Sequence, residues 1–220
     1  MASCPALHGR RRRIARSGRV TAEEGGEMAA TIRTFIALCL PERARSAAAT
    51  CLSDLRGRAP RGDLKWVAPE NLHVTVRFLG DRAPADVTRA AGLIEALHGD
   101  FDAVPTAWSE LGAFPSPRRP QVIWLGLADP EARLRALVRR IDERLHAAGF
   151  GRADKTFRAH VTLGRVRRGR RVGWASLSDG LTTPSTAFSI RTAALFKSTL
   201  TREGPIYAPL ARAEARTARA

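Results

Sequence analysis

The chain has 220 residues and a formal net charge of +16, and 44% of its residues are hydrophobic. That hydrophobic content supports a packed core and excludes a chain that is disordered throughout, and the length fits one sizeable domain or two small lobes. The longest apolar stretches, "TFIALCL" and "QVIWLGL", are far shorter than the roughly 20 residues that a membrane-spanning helix needs.

The positive charge is almost entirely arginine, because the only lysines are Lys65, Lys155 and Lys197. A basic surface favours polyanionic partners, nucleic acid first, although an arginine-rich proteome would produce the same composition whatever the protein does. The three cysteines are an odd number without CxxC spacing, which argues against a disulfide framework and against a zinc site. We therefore expect a cytoplasmic protein with no membrane association.

Residues 1–27 differ from the rest of the chain. They carry the arginine run "HGRRRRIARSGRV", but no apolar segment follows, so this is not a secretory signal. A nucleic-acid-binding arm and an organelle-targeting sequence both fit such a run. Our hypothesis is that residues 1–27 are a disordered extension or a wrongly assigned start before Met28, because "EEGGE" is what a purine-rich ribosome-binding site would encode if translated.

The first part of the chain alternates strands and helices. Residues 34–41 read as a buried strand that ends at Pro41, and a helix follows over 42–58. A second strand is predicted from about Leu72 to Leu79, stopped by the Gly80-Asp81 pair. The segment "APADVTRAAGLIEALHGD" has the apolar spacing of an amphipathic helix.

The remainder predicts five further strands and the clearest helix. The strands lie in "FDAVPTAWSELGAF", "QVIWLGL", "FRAHVTLGRV", "STAFSIRTAALFKSTL" and "PIYAPLARAEA", and the helix lies in "DPEARLRALVRRIDERLHAAGFG". Strands that cluster between helices indicate an α+β fold with antiparallel sheets and outer helices. We expect a single domain over residues 28–214 with two similar lobes, and a frayed tail at 215–220.

Two identical triplets, His-Val-Thr at 73–75 and again at 160–162, lie in strand-like runs. Residues i and i+2 of a strand share a face, so His73 and Thr75 point one way, as do His160 and Thr162. Two such strands facing one cleft would supply a neutral and a protonated imidazole, which are a general base and a general acid. The hydroxyls can donate to anion oxygens. Structural strand histidines are the alternative interpretation.

Arg165 follows the second triplet and adds a guanidinium whose planar donors suit a phosphate. No carboxylate cluster or Cys/His ligand set accompanies these residues, so neither a metal nor a cofactor is indicated. The pattern predicts an acid–base phosphoryl-transfer site.

The sequence resembles the 2H phosphoesterase superfamily, and within it the bacterial and archaeal RNA 2′,3′-cyclic phosphodiesterases, also called 2′-5′ RNA ligases. The resemblance covers about Thr31 to Leu210. The matching pieces are "RTFIALCLP", "LKWVAPENLHVTVRFLGD", "LGAFPSPRRPQVIWLGL", "GFGRADKTFRAHVTLGRV" and "LFKSTLTREGPIYAPL".

This resemblance implies a bilobal α+β fold with pseudo-twofold symmetry and a cleft between the lobes. It implies hydrolysis of RNA 2′,3′-cyclic phosphate ends to 2′-phosphates without a metal. His160 would be the proton acceptor and His73 the proton donor, while Thr75, Thr162 and Arg165 would bind the phosphate.

RNA with 2′,3′-cyclic phosphate ends, or cyclic nucleotides, would be the substrates of a monomer. Weak 2′-5′ ligation of RNA, through the same groups, would be a related activity in the reverse direction. An RNA- or nucleotide-binding module with vestigial catalysis is the alternative function.

Two further residues are candidate RNA contacts. Phe78 is a candidate to stack on a base, or else packs in the core. Arg77 shares the odd-numbered face of His73 and Thr75 in a regular strand, so we expect it to contact a phosphate, with a solvated rim arginine as the alternative. The residue before the second histidine, usually proline in this family, is Ala159.

Overall fold

The computed structural model describes residues 30–217, and the expectations for residues 1–27 lie outside that range. The strands are β1 Ile32–Cys39, β2 Leu64–Trp66, β3 His73–Arg82, β4 Val104–Ser116, β5 Arg119–Leu127, β6 His160–Val166, β7 Ala187–Ile190, β8 Thr192–Leu200 and β9 Pro205–Glu214. The α-helices are α1 Glu42–Arg58, α2 Pro84–Glu95, α3 Arg133–Leu145 and α4 Trp174–Ser178. Short 3-10 and π turns cover Pro69–Asn71 and His146–Phe150.

Most predicted elements are confirmed, and the exceptions have local causes. Helix α1 spans the predicted residues. Helix α3 begins at Arg133, later than predicted, because the Asp129 carboxylate accepts the N–H groups of Leu134 at 2.9 Å and Arg135 at 3.1 Å. Beyond β9, the N–H of Ala215 donates to the Arg191 carbonyl at 2.7 Å, and residues 218–220 of the expected tail lie outside the described range.

The predicted strand over residues 185–200 is divided into β7 and β8. Strand β7 pairs with β4, whereas β8 pairs with β1 and β9. The chain therefore leaves one part of the sheet and joins another part at Arg191. The sequence does not reveal this change of partner, because residues 185–200 contain neither a glycine nor a proline between the two segments.

The strands form one antiparallel sheet in the order β7-β4-β5-β6-β3-β1-β8-β9, with β2 pairing beside this path with β6. Strands β6 and β3 meet at the centre, where Val74 pairs with Val161. Four strands of the path lie on each side of this junction. The two-lobe α+β architecture expected from the sequence is confirmed, and the lobes share a continuous sheet.

Relative to β1, strand β3 contains two extra residues, Leu79 and Val76, and the second lies beside the triplet. Ile36 of β1 pairs with Arg77, but the next β1 residue, Ala37, pairs with Thr75. A bulge of this kind leaves two residues of one strand opposite one residue of its partner, so the side chains beyond it change faces.

Strand β6 contains a bulge at the corresponding place in the other half of the sheet. Ile123 of β5 pairs with Gly164, and the next β5 residue, Trp124, pairs with Thr162. The extra residue is Leu163, which is completely buried. In both halves the bulge begins directly after the threonine of the His-Val-Thr triplet.

The prediction that Arg77 faces the cleft is wrong, and the bulge at Val76 is the reason. The guanidinium of Arg77 donates to Asp142 Oδ1 of α3 at 2.6 Å and to the Phe150 carbonyl at 2.7 Å. Only 9% of the Arg77 side chain and 21% of the Asp142 side chain are exposed. Arg77 therefore joins the sheet to α3 and is not an RNA contact.

Replacing Arg77 by alanine should destabilise the fold, because it leaves the buried Asp142 carboxylate unpaired. Breaking one partner of a buried ion pair costs about 3–5 kcal/mol. Urea unfolding of Arg77→Ala, Asp142→Ala and the double variant should show that the double variant loses less stability than the sum of the two.

Arg139→Ala is the matched control, because Arg139 forms an exposed i,i+4 pair with Glu143. Its loss should cost about 0.3–0.5 kcal/mol. An effect of Arg77→Ala no larger than this would contradict the role of Arg77 in joining α3 to the sheet.

Candidate active site

Both histidines and both threonines of the triplets lie on one face of the two central strands. Val74 and Val161 pair across the junction and are completely buried, so they point into the core. The residues on either side of each valine therefore project to the opposite face. In this antiparallel arrangement the two histidines are diagonal neighbours, a placement that typically separates two residues by about 7–8 Å.

Each imidazole is oriented by the carbonyl of the residue two positions before it. His73 Nδ1 lies 2.7 Å from the Asn71 carbonyl oxygen, and His160 Nδ1 lies 2.7 Å from that of Arg158. A carbonyl only accepts, so Nδ1 carries the hydrogen in both rings. The Nε2 atoms are left for chemistry, and that of His73 lies 3.0 Å from Thr75 Oγ1.

The two bulges return the third residue after each threonine to the face that carries the histidines. In β3 this residue is Phe78, and in β6 it is Arg165; both line the same cavity as His73. A regular strand would have placed both on the core side with the valines. The spacing His-x-Thr-x-x-Phe and His-x-Thr-x-x-Arg therefore brings both residues to the site only because each strand is bulged.

The cavity beside His73 has a volume of about 300 Å³ and a polar and an apolar part. Thr75, Thr162 and Arg165 lie with His73 in its polar part. Its apolar and aromatic lining includes Trp66, Val67, Phe78, Pro205, Ile206 and Tyr207. Donors for an anion are thus placed beside surfaces suited to a flat ring.

His160 lines a neighbouring cavity of about 290 Å³ and not the first one. Its ring lies edge-on to Phe114, with centroids 5.0 Å apart, and 6.1 Å from the ring of Trp124. The guanidinium of Arg158 lies over both aromatic rings, at 5.2 and 5.4 Å. The two imidazoles share a face of the sheet, while each borders a cavity of its own.

The surroundings of both histidines lower the pKa of the imidazole. Burial is the main cause that lowers the pKa of His73 to about 4; the Asn71 carbonyl opposes it, and the charges of His160 and Arg165 act in the same direction as burial. Burial also lowers the pKa of His160, and Arg158 and Arg165 contribute in the same direction. The influence of His160 on His73 indicates that the two rings interact electrostatically.

Several residues of the site were not identified from the sequence. Trp66 of β2 lies against Gly164, where a Cβ atom would come within 2.8 Å of the indole, so the glycine makes room for that ring. Tyr207 of β9 lies edge-on to His73 at 5.5 Å. Trp66 reaches the site because β2 pairs with β6, and Tyr207 because of the position of β9 in the sheet, and neither can be predicted from local sequence. The one local signal is Gly164 after the second triplet, since a glycine in a strand can mark the close approach of another group.

Residues 30–217 contain no group of three or more His, Cys, Asp and Glu side chains arranged to hold a metal ion. Within the same range, no helix has both the length and the apolar character needed to cross a membrane.

Comparison with known proteins places the chain among named relatives. An Archaeoglobus fulgidus protein named RNA 2′,3′-cyclic phosphodiesterase is 33% identical over 180 residues, which are 81% of this chain and 98% of the relative. A Methanothermobacter thermautotrophicus protein of the same name is 30% identical over 80% of this chain and 95% of the relative.

Solved structures share the fold. A Thermus thermophilus protein superposes with a TM-score of 0.70 at 25% identity, covering 86% of this chain and all of the other. Escherichia coli LigT in complex with 3′-AMP superposes with a TM-score of 0.62 at 23% identity, covering 86% of this chain and 100% of its own.

A family model described as LigT like Phosphoesterase matches the chain twice, over residues 39–124 and 125–207. The two matches follow one another along the chain and together span 39–207. The repeated match, the relatives that align over four fifths of the chain and the shared fold lead to one conclusion: this chain belongs to the family of LigT-like 2H phosphoesterases.

Proposed function

We propose that this protein hydrolyses the 2′,3′-cyclic phosphate at an RNA end to a 2′-phosphate, with His160 as general base and His73 as general acid. The observation that carries the proposal is the placement of two imidazoles and two hydroxyls on one face of adjacent strands. The names of the relatives support the same reaction. Both histidines come from the same chain, so a monomer is sufficient.

The bond changes follow from the two Nε2 atoms. Nε2 of His160 takes a proton from water, and the water oxygen bonds to phosphorus. The bond between phosphorus and the 3′-oxygen breaks, and Nε2 of His73 gives that oxygen its proton. If a ribose 5′-hydroxyl replaces water, His160 takes its proton and His73 again protonates the 3′-oxygen, which gives a 2′-5′ linkage. Cleavage of that linkage runs the same step backwards with the two histidine roles exchanged.

The remaining site residues bind the substrate. The hydroxyls of Thr75 and Thr162 and the guanidinium of Arg165 donate to the non-bridging phosphate oxygens. Phe78 has 63% of its surface exposed although it is a large hydrophobic residue. A nucleobase that stacks on it would cover that surface.

Protonation of His73 and binding of the phosphate support each other. The neutral Nε2 of His73 accepts the hydrogen of the Thr75 hydroxyl, which lies 3.0 Å away. Once Nε2 is protonated it donates to the same oxygen, and the Thr75 hydrogen becomes available for a phosphate oxygen. The negative phosphate in turn raises the pKa of the buried imidazole. We infer that the acid acquires its proton as substrate binds.

Removing either imidazole should reduce the rate by orders of magnitude. Acid–base groups typically contribute about 10²–10⁴-fold each, so His73→Ala and His160→Ala should each lower kcat for 2′,3′-cyclic AMP by that factor. Product analysis by phosphorus NMR, in buffer containing EDTA, measures both the rate and the position of the remaining phosphate.

His146→Ala is the control, because His146 is an exposed residue just beyond α3 and touches neither cavity. It should retain the parent rate, and thermal unfolding should confirm that all three variants are folded. A parent protein that binds the nucleotide without turnover would identify the module as a binder only, and full activity of either site variant would remove that histidine from the mechanism.

The pH dependence should differ between the free protein and the substrate complex. The active form carries one proton on the histidine pair, and both pKa values are lowered in the free protein. The protonated fraction therefore decreases as pH rises above about 6.5, so kcat/KM should fall through neutral pH. The bound phosphate raises the pair's pKa, so the descending limb of kcat should lie at higher pH.

Initial rates between pH 4.5 and 9 with 2′,3′-cyclic AMP test whether the descending limb of kcat/KM lies at lower pH than the descending limb of kcat. A kcat/KM that stays constant or increases from pH 6.5 to 9 would contradict the assignment of a proton-requiring acid in a desolvated pair.

Phe78→Ala should weaken nucleotide binding without changing the chemistry. Base–aromatic stacking contributes about 1–3 kcal/mol, which corresponds to a rise in KM of roughly 5–150-fold at nearly constant kcat. Leu200→Ala is the matched control, because Leu200 is 69% exposed and does not line the cavity. Equal KM values for the two variants would exclude stacking on Phe78.

A further inference from the structure

Three loops at one end of adjacent strands carry a dense group of arginines. Strands β5, β6 and β2 are neighbours, since Val122 and Lys65 both pair with Arg165 of β6. The turn between β4 and β5, the loop after β6 and the turn before β2 therefore meet at the same end of the sheet. Their exposed arginines are Arg61, Arg118, Arg119, Arg167, Arg168 and Arg171, which we call the basic platform.

The arginines of the basic platform have no acidic partners. Within residues 30–217, none of the six forms an ion pair with a carboxylate. Asp63 is the only acidic residue in the three segments, and it pairs with Arg170 at 3.5 Å. Like charges held close together repel one another, so such a cluster favours a polyanionic partner.

The loop after β6 is an ordered turn. The Arg167 N–H donates to the Asp63 carbonyl at 2.8 Å, and the Arg170 N–H donates to the Arg167 carbonyl at 3.0 Å. Val172 is 6% exposed and anchors the far end of the loop in the core. The guanidinium groups are therefore presented from fixed backbone positions, which lowers the entropy lost when they bind.

The basic platform continues directly from the cavity that holds the phosphate-binding candidates. Lys65 and Arg165 pair with each other and both line that cavity. Three residues further along the chain, about 10 Å at the rise of a strand, Arg168 belongs to the platform. An anionic chain that ends in the cavity would meet positive charge at its next phosphates.

We propose that the basic platform binds the phosphate backbone of the RNA strand that leads to the cyclic end. This inference rests on the proposed function, and it specifies that function further: the preferred substrate is an oligonucleotide and not a free cyclic nucleotide. The arginines of the basic platform contact backbone phosphates and not bases, so they add affinity for RNA without a preference for any base.

The test compares two substrates and two variants of equal charge change. The substrates are 2′,3′-cyclic AMP and a fluorescein-labelled ten-nucleotide RNA ending in a 2′,3′-cyclic phosphate. R168Q/R171Q removes two charges from the platform. R133Q/R139Q removes two charges from α3, where Arg133 pairs with Glu131 and Arg139 with Glu143.

For the oligonucleotide, log kcat/KM should fall more steeply with log salt than it does for 2′,3′-cyclic AMP. R168Q/R171Q should reduce this slope by about 0.7 for each lost phosphate contact and should lower kcat/KM at low salt for the oligonucleotide only. R133Q/R139Q should leave the difference between the substrates unchanged. Equal slopes for R168Q/R171Q and the parent, or equal losses in both variants, would overturn the proposal.

Failure of the proposed reaction is distinguishable from failure of this inference. Fluorescence anisotropy with the same RNA ending in a 3′-hydroxyl measures binding in the absence of chemistry. If the parent hydrolyses neither substrate, the proposed function is wrong, and the platform is still supported by a selective loss of binding in R168Q/R171Q or refuted by its absence.

Discussion

The contact on which the site depends is the single pairing between Val74 and Val161. Both valines are completely buried, and the burial of an aliphatic side chain of this size contributes about 1.5–3 kcal/mol. A slip of either strand by one residue would turn its histidine and threonine into the core. The same hydrophobic burial that joins the two halves of the sheet thus fixes the placement of all four polar side chains.

The surroundings of both histidines disfavour a positive charge on either imidazole. Phe35 lies 5.0 Å from His73 and Phe114 lies 5.0 Å from His160, so aromatic rings remove water from both imidazoles. The nearby Arg165 adds a fixed positive charge, which disfavours a second one. An anion relieves both penalties at once, because it supplies the missing negative charge in a poorly solvated space.

Regular periodicity was sufficient to predict much of this protein from its sequence. Alternation placed His73, Thr75, His160 and Thr162 on a shared face, and the helical stripe identified α3. It failed for Arg77, because a bulge depends on the pairing partner and not on local composition. Periodicity also could not identify the aromatic residues that line the site, because Tyr207 lies on a strand more than a hundred residues away from His73 in the chain.

Both halves of the sheet carry the same bulge after the same triplet, yet the residue that each bulge presents is different. One half offers the flat ring of Phe78, and the other offers the guanidinium of Arg165. The two halves of the sheet therefore present unlike groups to the cavity. A nucleotide that places its base on Phe78 and its phosphate at Arg165 makes both contacts in one orientation and loses both in the orientation rotated by half a turn. Under the proposed function, this difference between the two halves would distinguish the two ester oxygens of the cyclic phosphate.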